Sequence, residues 1–168
     1  MPDTSVYSKF DTNSYLRQYA VIGEHPTLGE GWEYIRLRLN KLMVTTEKSI
    51  LKAEYYTHNL YTPNSSTTLE LSTVDQDWSS TQMIWSNKVI PIKMMKFLQT
   101  QNVFEITDFV KRCINDQLKA TEANGLILQT SKDYTVVATS DNSSYTPYIK
   151  IELQKKPLAF TALDNINQ

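Results

Sequence analysis

Residues Trp32 to Leu39 read WEYIRLRL, with apolar and polar side chains taking turns along most of the run. Successive side chains leave a strand on opposite faces, so an alternation of period two marks a strand with one side against a core. Ile35, Leu37 and Leu39 fall on the core side of this strand, and Tyr34, Arg36 and Arg38 on the other. The same period runs through Ile50 to Tyr61, where Leu51, Ala53, Tyr55, Thr57 and Tyr61 form the predicted core face. Lys52, Glu54, Tyr56, His58 and Leu60 face outward.

The polar stretch TPNSS, Thr62 to Ser66, breaks the chain before alternation resumes over Leu69 to Val74. Further strands are predicted at Leu16 to Ile22, Gln82 to Trp85, Val89 to Met94, Leu126 to Thr130, Tyr134 to Thr139 and Tyr148 to Leu153. Gly and Pro in GEHPTLGEG, Gly23 to Gly31, supply a turn. One segment has another period. In ITDFVKRCINDQL, Phe109, Val110, Cys113, Ile114 and Leu118 recur at helical spacing, with Thr107 as N-cap candidate and Asp108 in the first turn. A single short helix is predicted from about Asp108 to Leu118.

About eight short strands and one crossover helix predict an all-β fold, a jelly-roll-like antiparallel β-sandwich. Ten Tyr, five Phe and three Trp against four Gly agree with pleated, half-buried surfaces. The 168 residues suit one domain, expected over residues 16–155, with an N-terminal arm over 1–15 and a C-terminal tail or docking arm over 156–168.

Seventeen basic and eighteen acidic residues give a net charge of −1, and the basic residues are scattered. Phosphate backbones select clustered positive charge, so nucleic acid is not an expected partner. No segment has the roughly 20 apolar residues of a membrane helix, so membrane insertion is not expected either. Residues 1–10 carry neither the basic start nor the apolar run of a signal peptide. Synthesis in a host cytoplasm is expected, with release into a virion or an extracellular setting. Cys113 is the single cysteine, so packing rather than a disulfide must hold the fold.

Catalytic chemistry has few candidates. His25 and His58 stand in a loop and on a strand, with no motif joining them to a nucleophile. Cys113 lies on the apolar side of the helix, where a thiol is inert. Four glycines supply neither a Walker nor a dinucleotide pattern. No catalytic residue and no cofactor are expected. Asp75 and Asp77 in VDQDW, with Glu70 nearby, offer carboxylate oxygens for a structural calcium ion, although a solvated turn explains the same spacing. For ligand binding the candidates are aromatic: Trp32, Tyr56, His58 and Tyr61, whose rings could stack on sugars or anchor a protein. Trp78 and Trp85 are assigned to the core.

Four stretches together resemble the DNRLRE domains, jelly-roll-like sandwiches related to disaggregatase modules and some carbohydrate-binding modules. YIRLRLNKL with LKAEYYTHNLY is similar to that family's paired strands, and LSTVDQDWSSTQMIWSNKVIP to its pair of Trp residues, here Trp78 and Trp85. FEITDFVKRCIND resembles its step from strand into short helix through Ile106, Thr107 and Asp108. NGLILQTS followed by SYTPYIKIEL is similar to its closing strands. The likeness spans about Leu16 to Leu153. It implies a non-catalytic sandwich of secreted, surface or virion proteins.

The expected function is that of a structural or binding protein. The first choice is a bacteriophage-like virion component, such as a capsid decoration, head fibre or tail protein, whose partners are other virion proteins or copies of itself. The alternative is a carbohydrate-binding module accessory to a secreted polysaccharide-active enzyme, with a cell-surface glycan as ligand.

Overall fold

The computed structural model describes residues 3–37, 49–74, 76–91, 99–100, 102–118 and 125–155. Two antiparallel sheets pack face to face as an all-β sandwich, with strands shorter and more numerous than the alternation implied. The elements in chain order are β1 (Asp3–Tyr7), β2 (Tyr19–His25), β3 (Gly29–Ile35), β4 (Ile50–Tyr56), β5 (Asn59–Tyr61) and β6 (Leu69–Val74). After them come β7 (Gln99–Thr100), β8 (Val103–Glu105), α1 (Thr107–Leu118), β9 (Gly125–Thr130), β10 (Tyr134–Ala138) and β11 (Tyr148–Leu153).

The seven-stranded sheet runs β5-β10-β2-β3-β9-β6, with β1 added against β3, and the four-stranded sheet runs β11-β4-β8-β7. Between them lies the main core. Ile22, Ile35, Leu71, Leu128 and Val137 reach it from the larger sheet, Ala53, Tyr55 and Phe104 from the smaller, and Phe109, Val110, Cys113 and Ile114 from α1. The helix is anchored where it begins. Ala53 of β4 accepts from Ile106 N–H at 2.9 Å, and its own N–H donates to Thr107 Oγ1 at 3.0 Å. The Thr107 hydroxyl therefore ties the helix to β4, while the Ile106 carbonyl takes the helix's Val110 N–H.

β3 departs from the one-sided burial that its alternation predicts. Ile35 faces the main core, yet Tyr34 on the opposite face is fully buried in a second cluster with Val6, Val74, Trp78, Met83 and Ile127. The cover is the segment 76–91. Tyr34 Oη donates to Val89 O at 2.5 Å, and Arg36 Nη2 donates to Asp77 Oδ1 at 3.0 Å and Trp78 O at 2.5 Å. From the other side Asn13 Nδ2 donates to Ser80 O and Met83 O, and Asp11 accepts from Ser86.

Those side-chain contacts also explain why Gln82 to Trp85 is not a strand. Ile84 N–H donates to Asn87 Oδ1 at 2.8 Å and a 3-10 turn follows at Trp85–Asn87, so backbone groups are bound locally instead of in a ladder. Residues 89–91 form no strand, and 92–94 of that expectation lie outside the described residues.

Leu51 was expected in the core and is 54 % exposed. Lys52 pairs Glu152 but Ile50 pairs Leu153, so Leu51 is the extra residue of a bulge, which turns Ile50 inward in its place. The expected single strand over 50–61 is two. At Thr57 and His58 the chain passes from one sheet to the other, held by Thr57 N–H to Asn102 O and by Ala138 N–H to His58 O, both 2.9 Å. Tyr61, expected inward, lies on β5 at the sheet edge and is 56 % exposed.

The strand expected at Leu16 begins at Tyr19 and extends to His25, because the hairpin with β3 carries pairing to His25 opposite Gly29. Residues 3–7, expected within an arm ahead of the domain, form β1, buried throughout and paired with β3 from Asp3–Ile35 to Tyr7–Gly31. The expected tail, 156–168, lies outside the described residues.

Gly31 sits where β1, β2 and β3 converge. A Cβ there would stand 2.2 Å from Val21 O and 3.0 Å from the Tyr7 ring. Backbone cannot yield as a flexible side chain would. Gly31→Ala should destabilise the fold by about 2 kcal/mol or more in chemical denaturation.

Candidate functional site

The four aromatic candidates do not form one site. Tyr56 and His58 come together on the outer face of the smaller sheet. Tyr56 and Tyr148 are partners across β4 and β11, and their rings stack at 4.6 Å and 7°. His58 lies 6.2 Å from Tyr148 and 6.1 Å from Tyr145. Tyr148 and Tyr145 are 47 % and 54 % exposed, and the four rings form a surface cluster at the edge of the smaller sheet, Tyr56 and Tyr148 on its strands and His58 and Tyr145 on the segments beside them.

Charged side chains continue this face. Lys52 and Glu54 form an ion pair at 2.6 Å, and Tyr56 Oη donates to Glu54 at 3.0 Å. Hydrogen bonds from Lys52 and then Tyr56 hold the Glu54 carboxyl below the usual carboxylate range. The same bonding raises the Tyr56 hydroxyl. Pairing Lys150 opposite Glu54 and Glu152 opposite Lys52 sets opposite charges side by side across the strands.

Tyr61 belongs elsewhere. Its ring lies 6.4 Å from Tyr134, which in turn packs edge-on against His25 at 4.6 Å. The imidazole Nδ1 of His25 accepts from Thr27 and Leu28 N–H, so this histidine shapes the β2–β3 turn.

Trp32 lies on the outer face of the larger sheet and is half-buried. Its ring meets Trp85 at 5.3 Å, Lys88 Nζ stands 5.2 Å from it and 3.7 Å from Trp85, and its Nε1 donates to Glu30. Trp78 is buried as expected, while Trp85 packs at the margin of the outer cluster. Beside Trp32 opens a cleft of about 240 Å³, whose polar lining includes Glu24, Glu30, Glu70, Gln129 and Lys132. Sequence reasoning reached Trp32, and Glu70 only as a possible calcium neighbour, but not the cleft they share, since its lining comes from four strands and the β9–β10 turn.

Of the calcium candidates, Asp75 lies outside the described residues. Asp77 Oδ1 is taken by Arg36 and by Trp78 N–H at 2.9 Å, which makes it a tie for the 76–91 cover. Among the described residues no group of three or more His, Cys, Asp or Glu is placed to hold a metal ion, and no helix is long and apolar enough to cross a membrane. Cys113 is buried on the inward side of α1.

No family model matches the chain, and no curated protein matches it.

Proposed function

We propose that this chain is a non-catalytic attachment domain, a structural component of the virion type that acts by self-association through its exposed faces. The observation that carries the reading is the cluster of Tyr56, His58, Tyr145 and Tyr148. Large rings left in contact with water mark interaction surfaces, and tyrosine loses little side-chain freedom on docking. Tyr56 and Tyr148, partners on paired strands, are ordered before any partner arrives. The resemblance to DNRLRE domains is in keeping with a non-catalytic role, since it implies a sandwich of secreted, surface or virion proteins.

Sedimentation velocity across a concentration series tests this. The full chain should associate reversibly, and Tyr145→Asp with Tyr148→Asp should weaken that association at least tenfold while the thermal transition stays in place. A chain that is monomeric throughout, or association that survives both substitutions, overturns the reading.

The cleft beside Trp32 favours a second reading, a carbohydrate-binding module. An aromatic ring bordered by carboxylates, an amide and an ammonium suits a neutral ligand rich in hydroxyls, which stacks on the ring and hydrogen-bonds at its margins. Glu70→Gln and Gln129→Ala lie outside the buried clusters and should reduce retention on a polysaccharide gel. No retention of the parent chain, or retention unchanged in both variants, counts against it.

A further inference from the structure

We propose that β1 is a pH-releasable strand: deprotonation of the Glu33 carboxyl inside the sandwich detaches residues 3–7 from β3 while the remaining strands stay folded. The proposal rests on the β1–β3 contact and stands apart from the attachment reading.

Glu33 is on β3 and shares the inward face with Ile35. It is 3 % exposed. Ser5, its partner in register on β1, donates its hydroxyl to Glu33 Oε2 at 2.5 Å, and Oε1 has no hydrogen-bond partner. Two residues along β1, Asp3 is buried as well, accepting from Ser140 N–H at 2.6 Å.

Among the described residues, the ionisable groups whose charge bears on Glu33 are Asp3 and Tyr7 from β1, Tyr55 from β4 in the opposite sheet, and Asp141 after β10. All four are neutral or negative. Among the described residues no ion pair engages Glu33 or Asp3. A carboxylate buried without a cation keeps its proton, and burial, then Asp3, pushes the Glu33 carboxyl well above its ordinary range. Burial raises Asp3 too.

The strand that yields is set by topology. β3 cannot leave, because it pairs with β2 and β9 and is buried on both faces. Among the described strands β1 pairs only with β3, filling the place where β2 turns away, and there Val21 N–H donates to the Tyr7 hydroxyl instead of to a strand carbonyl. Departure of β1 removes Asp3 from beside Glu33 and opens both its oxygens to water. What holds β1 against this is its ladder with β3, the Ser5–Glu33 and Asp3–Ser140 hydrogen bonds, Val6 in the outer cluster and buried Tyr7.

The direction in pH follows from linkage. Below the ordinary carboxylate range both the docked and the released state hold the proton, so docking is independent of pH. Above it the released state gives up its proton first, and docking weakens about tenfold per pH unit for each such proton until the docked state ionises as well.

Amide exchange of the full chain, corrected for intrinsic rates and followed from mildly acid to mildly alkaline pH, tests the proposal. Protection of residues 3–7 should fall steeply as pH rises while that of 125–130 holds, and Glu33→Gln should flatten the fall. Equal loss in both segments, no pH dependence, or an unchanged slope in Glu33→Gln overturns it. Should that variant misfold, Asp3→Asn removes one of the two raised carboxyls and should give a shallower slope; a slope equal to the parent's overturns the proposal equally.

Discussion

The structure depends on the burial of β3 from both sides. Ile35 and Leu37 close the space between the sheets, and one residue away Tyr34 anchors a separate cluster under the 76–91 segment. A strand with one wet face can slip or fray at modest cost, but a strand covered on both faces fixes its register twice. Its neighbours inherit that register. β1 and β9 align on it residue by residue, β2 turns back from it in a hairpin, and β6 joins through β9.

The same double burial brings carboxyls inside. Because the face that carries Ile35 also carries Glu33, ordering β3 takes a titratable group out of water, and Ser5 answers it from β1 with a hydrogen bond while Asp3 adds a second buried carboxyl. Hydrogen bonding offsets part of that desolvation, and burial pushes the Glu33 carboxyl toward its protonated form. The polar interior and the aromatic exterior are thus separate features of the fold. Tyr56 and Tyr148 stand on the outer face of the other sheet, and neither belongs to the buried clusters.

Much of this was legible in the sequence where the pattern was local. The helical spacing of Phe109, Val110, Cys113 and Ile114 locates α1, and alternation gives β6 and β11 at their observed bounds. What was hidden depends on distant parts of the chain. Nothing near Tyr34 says that Trp78 and Met83 will cover it, and nothing near Leu51 announces a bulge that arises from pairing with β11. Gln82 to Trp85 reads as a strand because nothing in its own composition shows that Met83 O will be taken by Asn13, 70 residues away, or that Ile84 N–H will turn to Asn87 instead of to a ladder. The surface behaves likewise. Tyr56 and His58 were recognisable as outward-facing, but Tyr145 and Tyr148 join them only through the β4–β11 register.

Adjacent positions on β3 offer the most direct test of its double burial. Tyr34→Ala and Ile35→Ala remove side chains from opposite faces of one strand. In equilibrium unfolding each should cost about 3 kcal/mol or more, as fully buried large side chains do. A near-neutral Tyr34→Ala beside a costly Ile35→Ala would instead describe a strand with one face in water, and would contradict the account.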